Sequence, residues 1–345
     1  MLNSSRDITA NLKTLTFECG LSDNENQLLF LRGRSAGLVI CGCAHALFIC
    51  RLAISLRIFI KAEDTDQTPD TERTLKTQGL RVGILGGGHI GKQLTHLLLE
   101  MSGLKPSSIN VSTRRPENLE EFSGKGVECY YDNRRLATWA DVLFLCCLPS
   151  HLPQVCTEIH SHIPPHSLIY SFPSAVPINR LARLLGHNFI LKPQYDFVAC
   201  ESTDIWLSES CVTKALKDTS IIVASCPLSL KGGVSLDQMW VPSVLYSLLN
   251  MCTAQKIGSS QALQLLNELF KCQPSAKTFI CQNFVNSAVA AMLTSDKIFP
   301  WINLVDVQSK ETPLSRCLLE SEALQNLISA AYCLIFSDLP SRKTV

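Results

Sequence analysis

The sequence predicts an α/β fold in which a doubly wound, mostly parallel sheet is followed by a predominantly helical C-terminal domain. From residue 80 to about residue 200, short β-rich runs alternate with helical patterns, as expected when crossover helices cover a parallel sheet. Beyond residue 200 the β-rich runs mostly stop, and apolar residues recur at helical spacing. A polar segment ahead of residue 80 separates the sheet region from an apolar N-terminal stretch.

This pattern divides the chain into an apolar, helical N-terminal region (1–61), a linker (62–78), the α/β domain (79–200) and a helical domain (201–345). The linker is almost devoid of large apolar residues and contains Pro69. The expected strands occupy residues 81–86, 108–113, 127–131, 141–147, 167–172 and 188–192. The expected helices occupy residues 92–101, 241–256, 260–271, 278–294 and 317–336.

The apolar stretch from Ala36 to Leu56 is long enough to span a bilayer, but it carries His45 and Arg51. A charged side chain near the centre of a span costs roughly 2.5–3.5 kcal/mol on insertion scales. A buried core helix is therefore favoured over a membrane anchor. A strand pair or an interfacial helix with a basic face remains open.

Composition narrows the function classes. The formal net charge is +1, with Lys and Arg scattered along the chain, so no nucleic-acid partner is expected. The 16 cysteines form no Cys-x-x-Cys motif, and the N-terminus has neither a signal-peptide nor a transit-peptide pattern. Buried free thiols and a cytoplasmic location are expected. His160, His162 and His166 lack acidic or cysteine partners at metal-ligand spacing, so no metal site is expected.

A glycine-rich motif follows the first expected strand and opens an amphipathic helix. In this G-x-G-x-x-G pattern, Gly86 permits a tight turn, Gly88 lets the backbone approach a pyrophosphate, and Gly91 allows the helix to pack closely on the strand. The alternative is a glycine-rich turn that only joins a strand to a helix. The flanking strand and helix favour a Rossmann-type dinucleotide site, with cofactor contacts from Gly86, Gly87, Gly88, His89, Ile90 and Gly91.

The end of the second strand distinguishes between the two nicotinamide dinucleotides. Proteins that bind NAD usually carry an acid there to hold the ribose 2′-hydroxyl. This chain has Ser112, Thr113, Arg114 and Arg115 instead, two hydroxyls and two guanidiniums that suit a 2′-phosphate. NADP(H) is therefore the expected cofactor. Arg114 is the first choice for the phosphate contact, because one of the two arginines is expected to lie in a solvated turn.

Residues 80–200 resemble the pyrroline-5-carboxylate reductase family. The shared features are the glycine loop, a second strand that ends in hydroxyl residues, and the buried run from Asp141 to Pro149 (DVLFLCCLP). Leu148 and Pro149 end this run at the carboxyl edge of the sheet, where they are expected to line the nicotinamide–ribose side of the cofactor. The resemblance implies NADPH binding and hydride transfer to a small imine or carbonyl substrate.

The family also implies a helical domain that dimerises and a substrate-binding segment that contains a glycine pair. Here the corresponding segment runs from Ser309 to Ser315 without the paired glycines, and Thr312 and Ser315 are the expected substrate-binding residues. A homodimer is expected from the same resemblance. The loss of the glycine pair also motivates an alternative, a catalytically silent NADP(H)-binding protein with an interaction role.

The catalytic proton donor is not identified by the sequence. Lys192, Tyr195, Lys231 and Asp237 are candidates, because each side chain can donate a proton to a polarised carbonyl or imine within hydrogen-bond reach. His89 lies in the phosphate loop and is expected to contact the cofactor without a catalytic role.

Overall fold

The structure is a computed structural model that describes residues 17–64, 79–199, 204–209, 211–270, 278–294 and 296–337. Residues 65–78, which form most of the predicted linker, and residues 1–16 of the predicted N-terminal region lie outside the described residues. The first three residues of that linker, 62–64, belong to the end of a helix.

Six parallel strands form the main sheet, in the order β3-β2-β1-β4-β5-β6 that is typical of a Rossmann fold. Their bounds are Val82–Leu85 (β1), Ile109–Ser112 (β2), Glu128–Tyr130 (β3), Val142–Leu145 (β4), Leu168–Ser171 (β5) and Ile190–Leu191 (β6). Each predicted strand range contains one of them. The predicted fold class is therefore confirmed, and the strands are shorter than the apolar runs because those runs continue into the turns at the sheet edges.

The two faces of the sheet pack against different helices. Along β4, Val142 and Phe144 join one buried cluster, whereas Leu143 and Leu145 join the other, as the alternation of strand side chains requires. The first cluster includes α2 (His89–Met101). The second includes the helices α3 (Asn133–Trp139), α4 (Leu152–Ile159) and α5 (Ile178–Leu185). Helix α2 begins three residues earlier than predicted, because the helix already includes His89, Ile90 and Gly91.

A helix of 36 residues, α1 (Leu29–Asp64), crosses the first face of the sheet and is longer than the predicted 36–56. The helical segment Asp23–Ala62, which overlaps α1, is long and apolar enough to cross a membrane, and 78% of its most apolar window is buried inside the protein. Leu47, Phe48 and Leu52 share a cluster with strand residues and with residues of the C-terminal helices. Burial of each such side chain contributes about 1.5–3 kcal/mol. Helix α1 therefore joins the sheet to the helical region through one continuous core.

Contacts in the two halves of α1 fix its direction across the sheet. In the first half, Gly42 lies against Phe172 at the carboxyl end of β5, where a Cβ on Gly42 would be 3.1 Å from the ring. In the second half, Arg57 Nη1 lies 2.9 Å from Asp141 Oδ2 at the amino end of β4, and Arg81 Nη2 lies 2.8 Å from Asp141 Oδ1. Burial alone would raise the pKa of Asp141, but the hydrogen bond from Arg81 and the charge of Arg57 outweigh it and hold that pKa below its ordinary value. Helix α1 thus runs antiparallel to the strands.

The C-terminal region is helical, as predicted. Its longer helices are α6 (Thr219–Ser225), α7 (Trp240–Ala254), α8 (Ser259–Leu269), α9 (Pro313–Glu320) and α10 (Glu322–Ser337). Along the whole described chain, shorter helices span Asp23–Asn26, Glu120–Ser123, Val212–Ala215, Cys281–Phe284, Ser287–Met292 and Leu304–Val307. Single turns of 3₁₀ helix span Phe17–Gly20, Pro106–Ser108, Pro116–Leu119, His160–His162, Asp204–Leu207 and Lys231–Gly233.

Two predicted helices are wrong as single units. The range 278–294 contains two short helices, because the Asn286 side chain accepts a hydrogen bond from Val289 N and caps the second one. The range 317–336 is divided at Ser321, whose Oγ accepts from Leu324 N.

The sequence analysis also missed an antiparallel pair, β7 (Tyr195–Phe197) with β8 (Val234–Leu236). Strands of three residues give too short an alternation to recognise.

A buried histidine in α1 connects several elements. His45 is 1% exposed, and its Nε2 lies 2.9 Å from the carbonyl oxygen of Ser225. Since that oxygen can only accept, Nε2 carries the proton, and Nδ1 accepts from the Tyr195 hydroxyl at 2.8 Å. Burial lowers the pKa of His45 to about 4, although the Ser225 carbonyl acts in the opposite direction. The imidazole is therefore neutral at pH 7.

We predict that His45 makes the protein less stable in mild acid. Because its pKa falls from about 6.5 to about 4 on folding, the unfolded chain binds the proton more tightly. Stability is then full above pH 6.5 and is lost as the pH falls towards 4. The loss is on the order of 3 kcal/mol, at about 1.4 kcal/mol per pH unit. The variant His45→Gln keeps a donor and an acceptor but does not titrate. Its unfolding free energy, measured with urea, should therefore lack this decrease at acidic pH.

The matched control is His160→Gln, at an exposed histidine. Its unfolding free energy should follow the wild-type pH dependence. If His45→Gln instead loses stability between pH 6.5 and 4 as steeply as the wild type, the buried imidazole is not the cause.

Candidate functional site

A cavity of ≈ 470 Å³ lies at the carboxyl edge of the sheet, where β1, β2 and β4 end. This is the edge at which open α/β sheets bind ligands. Nine of the residues predicted to bind a cofactor line it: Gly86, Gly87, Gly88, His89, Ile90, Ser112, Thr113, Arg114 and Leu148. The structure thus brings the glycine loop, the end of β2 and the end of β4 to one cavity.

The glycine loop is shaped by two close approaches. Gly86 has a φ of +112°, and a Cβ there would lie 2.9 Å from the backbone of Cys146. A Cβ on Gly91 would lie 1.9 Å from the carbonyl oxygen of Gly86. Neither position accepts a side chain without movement of the backbone. Gly91 therefore allows the start of α2 to pack tightly against the loop. Gly91 itself is not one of the described residues that line the cavity.

The N-terminus of α2 opens onto this cavity. Gly88 is its N-cap residue, and α2 has no side-chain cap and no acid in its first turn within the described chain. A Cβ built on Gly88 meets none of the described heavy atoms within 4 Å, so this face of the loop is open. The first N–H groups of α2 and the helix dipole favour a negatively charged group at this point.

Of the two hydroxyl residues at the end of β2, one is internal and the other is accessible. Ser112 is 1% exposed, and its hydroxyl donates to Asn133 Oδ1 at 2.8 Å, so this hydroxyl is already used inside the protein. Thr113 is half-buried and lies against Gly87, where a Cβ would be 3.0 Å from the Thr113 hydroxyl. Thr113 therefore presents the more accessible of the two hydroxyls.

The two arginines after β2 differ in position. Arg114 is exposed and lines the cavity, whereas Arg115 is exposed and is not among the described lining residues. Within the described residues, neither guanidinium forms a salt bridge. Arg114 thus brings an unpaired positive charge to the mouth of the cavity. The sequence analysis expected one of the two arginines to lie in a solvated turn, and Arg115 is the one outside the described lining.

The end of β4 forms an uncharged wall. Cys146, Cys147 and Leu148 line the cavity, and Leu148 is 63% exposed, whereas Pro149 is absent from the described lining residues. Burial raises the pKa of Cys147 to about 11 and holds that of Cys146 well above its ordinary value, so both thiols are neutral at pH 7.

Part of the cavity wall was missed by the sequence analysis. His151, Gln154, Val155 and Glu158 line the cavity from one face of α4, at the i, i+3, i+4, i+7 spacing of a helix. Glu158 Oε2 accepts from Asn133 Nδ2 at 2.7 Å, and Oε1 accepts from Gln154 at 3.3 Å. Both carboxylate oxygens therefore already have partners. The helical spacing after the β4 strand was the signal that could have identified this face.

Helix α1 supplies a further wall that the sequence did not predict. Val39 lines the cavity, and three residues later Gly42 lies against Phe172 and 3.8 Å, measured from an added Cβ, from the Tyr195 hydroxyl. The carboxyl ends of β4 and β5 are thus covered by α1. A second cavity of ≈ 430 Å³, lined by the beginning of α1, shares Val39 and His89 with the first.

Thr312 and Ser315, the predicted substrate-binding residues, lie elsewhere. They form the capping box of α9, in which Thr312 Oγ1 accepts from Ser315 N at 3.0 Å and Ser315 Oγ accepts from Thr312 N at 2.8 Å. Neither is among the described residues that line the glycine-loop cavity.

The candidate proton donors are also separated. Tyr195 binds His45 in the core, Lys231 is exposed, and Lys192 and Asp237 line a third, smaller cavity. Among the residues that the structure describes, no group of three or more His, Cys, Asp or Glu side chains is arranged to hold a metal ion.

Comparison with known proteins identifies the same part of the chain. Residues 81–172 match the family described as NADP oxidoreductase coenzyme F420-dependent. Pyrroline-5-carboxylate reductase 3 of Danio rerio is 26% identical over 121 residues, which cover 35% of this chain and 41% of that protein. The Escherichia coli pyrroline-5-carboxylate reductase is 28% identical over 109 residues, 31% of this chain and 40% of the enzyme. The chain therefore aligns with less than half the length of these reductases.

Solved structures give weaker similarity. A pyrroline-5-carboxylate reductase from Coxiella burnetii covers 75% of this chain and 96% of its own, at 17% identity and a TM-score of 0.32. A reductive aminase from Aspergillus terreus, in complex with NADPH4, cyclohexanone and allyl amine, covers 37% of this chain and 44% of its own, at 17% identity and a TM-score of 0.28.

The longest of these alignments is with mouse NADP-dependent oxidoreductase domain-containing protein 1, which is 40% identical over 343 residues and is matched over 96% of this chain and 93% of the mouse protein. The predicted resemblance to pyrroline-5-carboxylate reductases is confirmed. The chain belongs to the family of NADP-dependent oxidoreductase domain-containing protein 1.

Proposed function

We propose that this protein binds NADP(H) at the glycine-loop cavity and acts as an NADPH-dependent oxidoreductase on a small imine or carbonyl substrate. The observation that supports the proposal best is that the open face of Gly88 and the unpaired guanidinium of Arg114 belong to one cavity. A dinucleotide with an extra phosphate needs two anion sites in one cleft. The N-terminus of α2 supplies the first and Arg114 the second.

The residues of the cavity match the parts of NADP(H). The pyrophosphate suits the uncapped N-terminus of α2, where the loop carries no side chain at Gly86 or Gly88. The 2′-phosphate suits Arg114, with the Thr113 hydroxyl beside it. Glu158 is the only acid among the described lining residues, and both of its oxygens are occupied by neighbouring amides.

Bound NADPH would supply a hydride from C4 of its nicotinamide ring. The protein contributes an uncharged environment on the β4 side, where neutral Cys146, Cys147 and Leu148 form the wall.

The alternative function, a catalytically silent NADP(H)-binding protein, is favoured by two features. Helix α1 covers the carboxyl ends of β4 and β5, and Val39 and Gly42 occupy the space beside Cys146 and Phe172. In addition, the hydroxyls of Thr312 and Ser315 are used in a helix cap. Under this alternative, the dinucleotide stabilises the fold and an interaction surface. A homodimer and a cytoplasmic location remain predictions under both functions.

We predict that Arg114→Ala weakens NADPH binding and leaves NADH binding unchanged. The change removes one charge-assisted contact to the 2′-phosphate, which corresponds to about tenfold in Kd for an exposed arginine. Fluorescence titration of the purified protein with each nucleotide measures both affinities. Arg115→Ala is the matched control, because Arg115 is equally exposed but lies outside the described lining of the cavity.

Arg115→Ala should bind NADPH as the wild type does. If the two variants behave alike, or if the wild type binds NADH as tightly as NADPH, Arg114 does not recognise a 2′-phosphate.

We also predict that the protein oxidises NADPH in the presence of a cyclic imine. Absorbance at the reduced-nicotinamide band, followed with pyrroline-5-carboxylate and related cyclic imines, measures turnover. Gly88→Ala provides the matched control. Its Cβ meets no described atom within 4 Å, so the fold should be retained. The same Cβ enters the space proposed for the pyrophosphate, so turnover should be abolished. NADPH binding without any turnover would exclude the reductase function for these substrates and support the silent alternative.

A further inference from the structure

A separate small cavity of ≈ 200 Å³ lies between the sheet and the helical region. It is bounded by the start of α5, by Lys192 immediately after β6, by Asp237 immediately after β8, and by Gln308. Since β5 precedes α5, two strands bring this cavity to the carboxyl edge of the sheet, the edge at which ligands bind in this fold. Its volume is below the usual range for drug-sized ligands, so only a small molecule fits.

Lys192 brings a positive charge to this cavity and forms no ion pair within the described residues. Its backbone is fixed, because Lys192 N donates to Gln308 Oε1 at 2.9 Å and Gln308 Nε2 donates to the Ile190 carbonyl oxygen at 2.7 Å. The side chain is half-buried, and no salt bridge to it is present in the described ranges. Burial lowers the pKa of Lys192, as expected for an ammonium without a neighbouring anion.

Asp237 supplies the opposite charge but does not pair with Lys192. Its Oδ1 accepts from Met239 N at 2.7 Å, and its backbone N–H donates to the Gln194 carbonyl oxygen at 2.8 Å, so its position is fixed. Across the described residues, Asp237 takes part in no salt bridge. Two opposite charges therefore line one small cavity without touching each other.

Two further features favour a bound anion on one side. Helix α5 begins at this cavity with Pro177 as its N-cap residue, and in the described chain it has neither a side-chain cap nor an acid in its first turn. Trp240 lines the cavity and is 1% exposed, and its indole N–H has no partner among the described residues. Trp240 also contacts His45, at 4.7 Å between ring centroids.

We propose that this cavity binds a small amino acid as its zwitterion, with the carboxylate at Lys192 and the start of α5 and the ammonium group at Asp237. The ligand supplies both missing counter-charges, and a short aliphatic side chain would contact Trp240. The proposal does not depend on NADP(H), because the two cavities have no lining residue in common within the described chain.

Ligand-observed NMR on the full chain tests this assignment, with glycine, L-alanine and L-serine as probes and with propionate and ethylamine as comparators. At least one amino acid should bind, about tenfold more tightly than propionate, which lacks the ammonium group, and ethylamine, which lacks the carboxylate. Equal binding of propionate, or no binding of any amino acid probe by the folded wild type, overturns the proposal.

Two variants locate the site. Lys192→Met keeps the apolar stem, and Asp237→Asn keeps an oxygen that can accept from Met239 N, so both should melt cooperatively. Each should lose at least tenfold in affinity for the amino acid, with NADPH binding unchanged. The matched controls Lys231→Met and Asp196→Asn, at exposed residues outside the described lining, should bind as the wild type does. Equal effects of the control and cavity variants would contradict the assignment.

Discussion

The glycine-loop cavity and the smaller cavity at Lys192 both depend on the burial of α1 across one face of the parallel sheet. Its apolar residues share a core with strand residues and with the C-terminal helices, and its Arg57 reaches the buried carboxylate of Asp141 at the amino edge. With the helix held at that end, Val39 forms a wall of the glycine-loop cavity. His45 packs against Trp240, which lines the smaller cavity. A histidine can occupy this core because it is neutral and both ring nitrogens have partners.

The glycine-loop cavity owes its chemistry to backbone geometry more than to side chains. The close approach of Gly91 to Gly86 holds the N-terminus of α2 at the carboxyl edge, where free N–H groups face an open space beside Gly88. Most polar side chains deeper in the wall are already paired, as Ser112, Asn133 and Glu158 are with one another. Arg114, at the mouth of the cavity, forms no salt bridge within the described residues, and the proposed preference for NADP(H) rests on it.

The sequence predicted the sheet and the glycine loop well, because both follow from local patterns. A buried run before G-x-G-x-x-G defines β1 and α2, and the residues that follow β2 are adjacent in sequence. Elements brought in from a distance could not be predicted in this way. Val39 and Trp240 reach their cavities only through the packing of α1 and α7. The sequence analysis expected Thr312 and Ser315 to bind substrate, whereas in the structure both hydroxyls take part in a local capping box.

A crystal structure of the protein grown with NADPH tests the central claim most directly. We expect the pyrophosphate above Gly88 at the N-terminus of α2 and the 2′-phosphate beside Arg114, with Val39 and Leu148 along the remaining length of the cofactor. A structure with the dinucleotide bound away from the glycine loop, or with its 2′-phosphate remote from Arg114, would contradict the account.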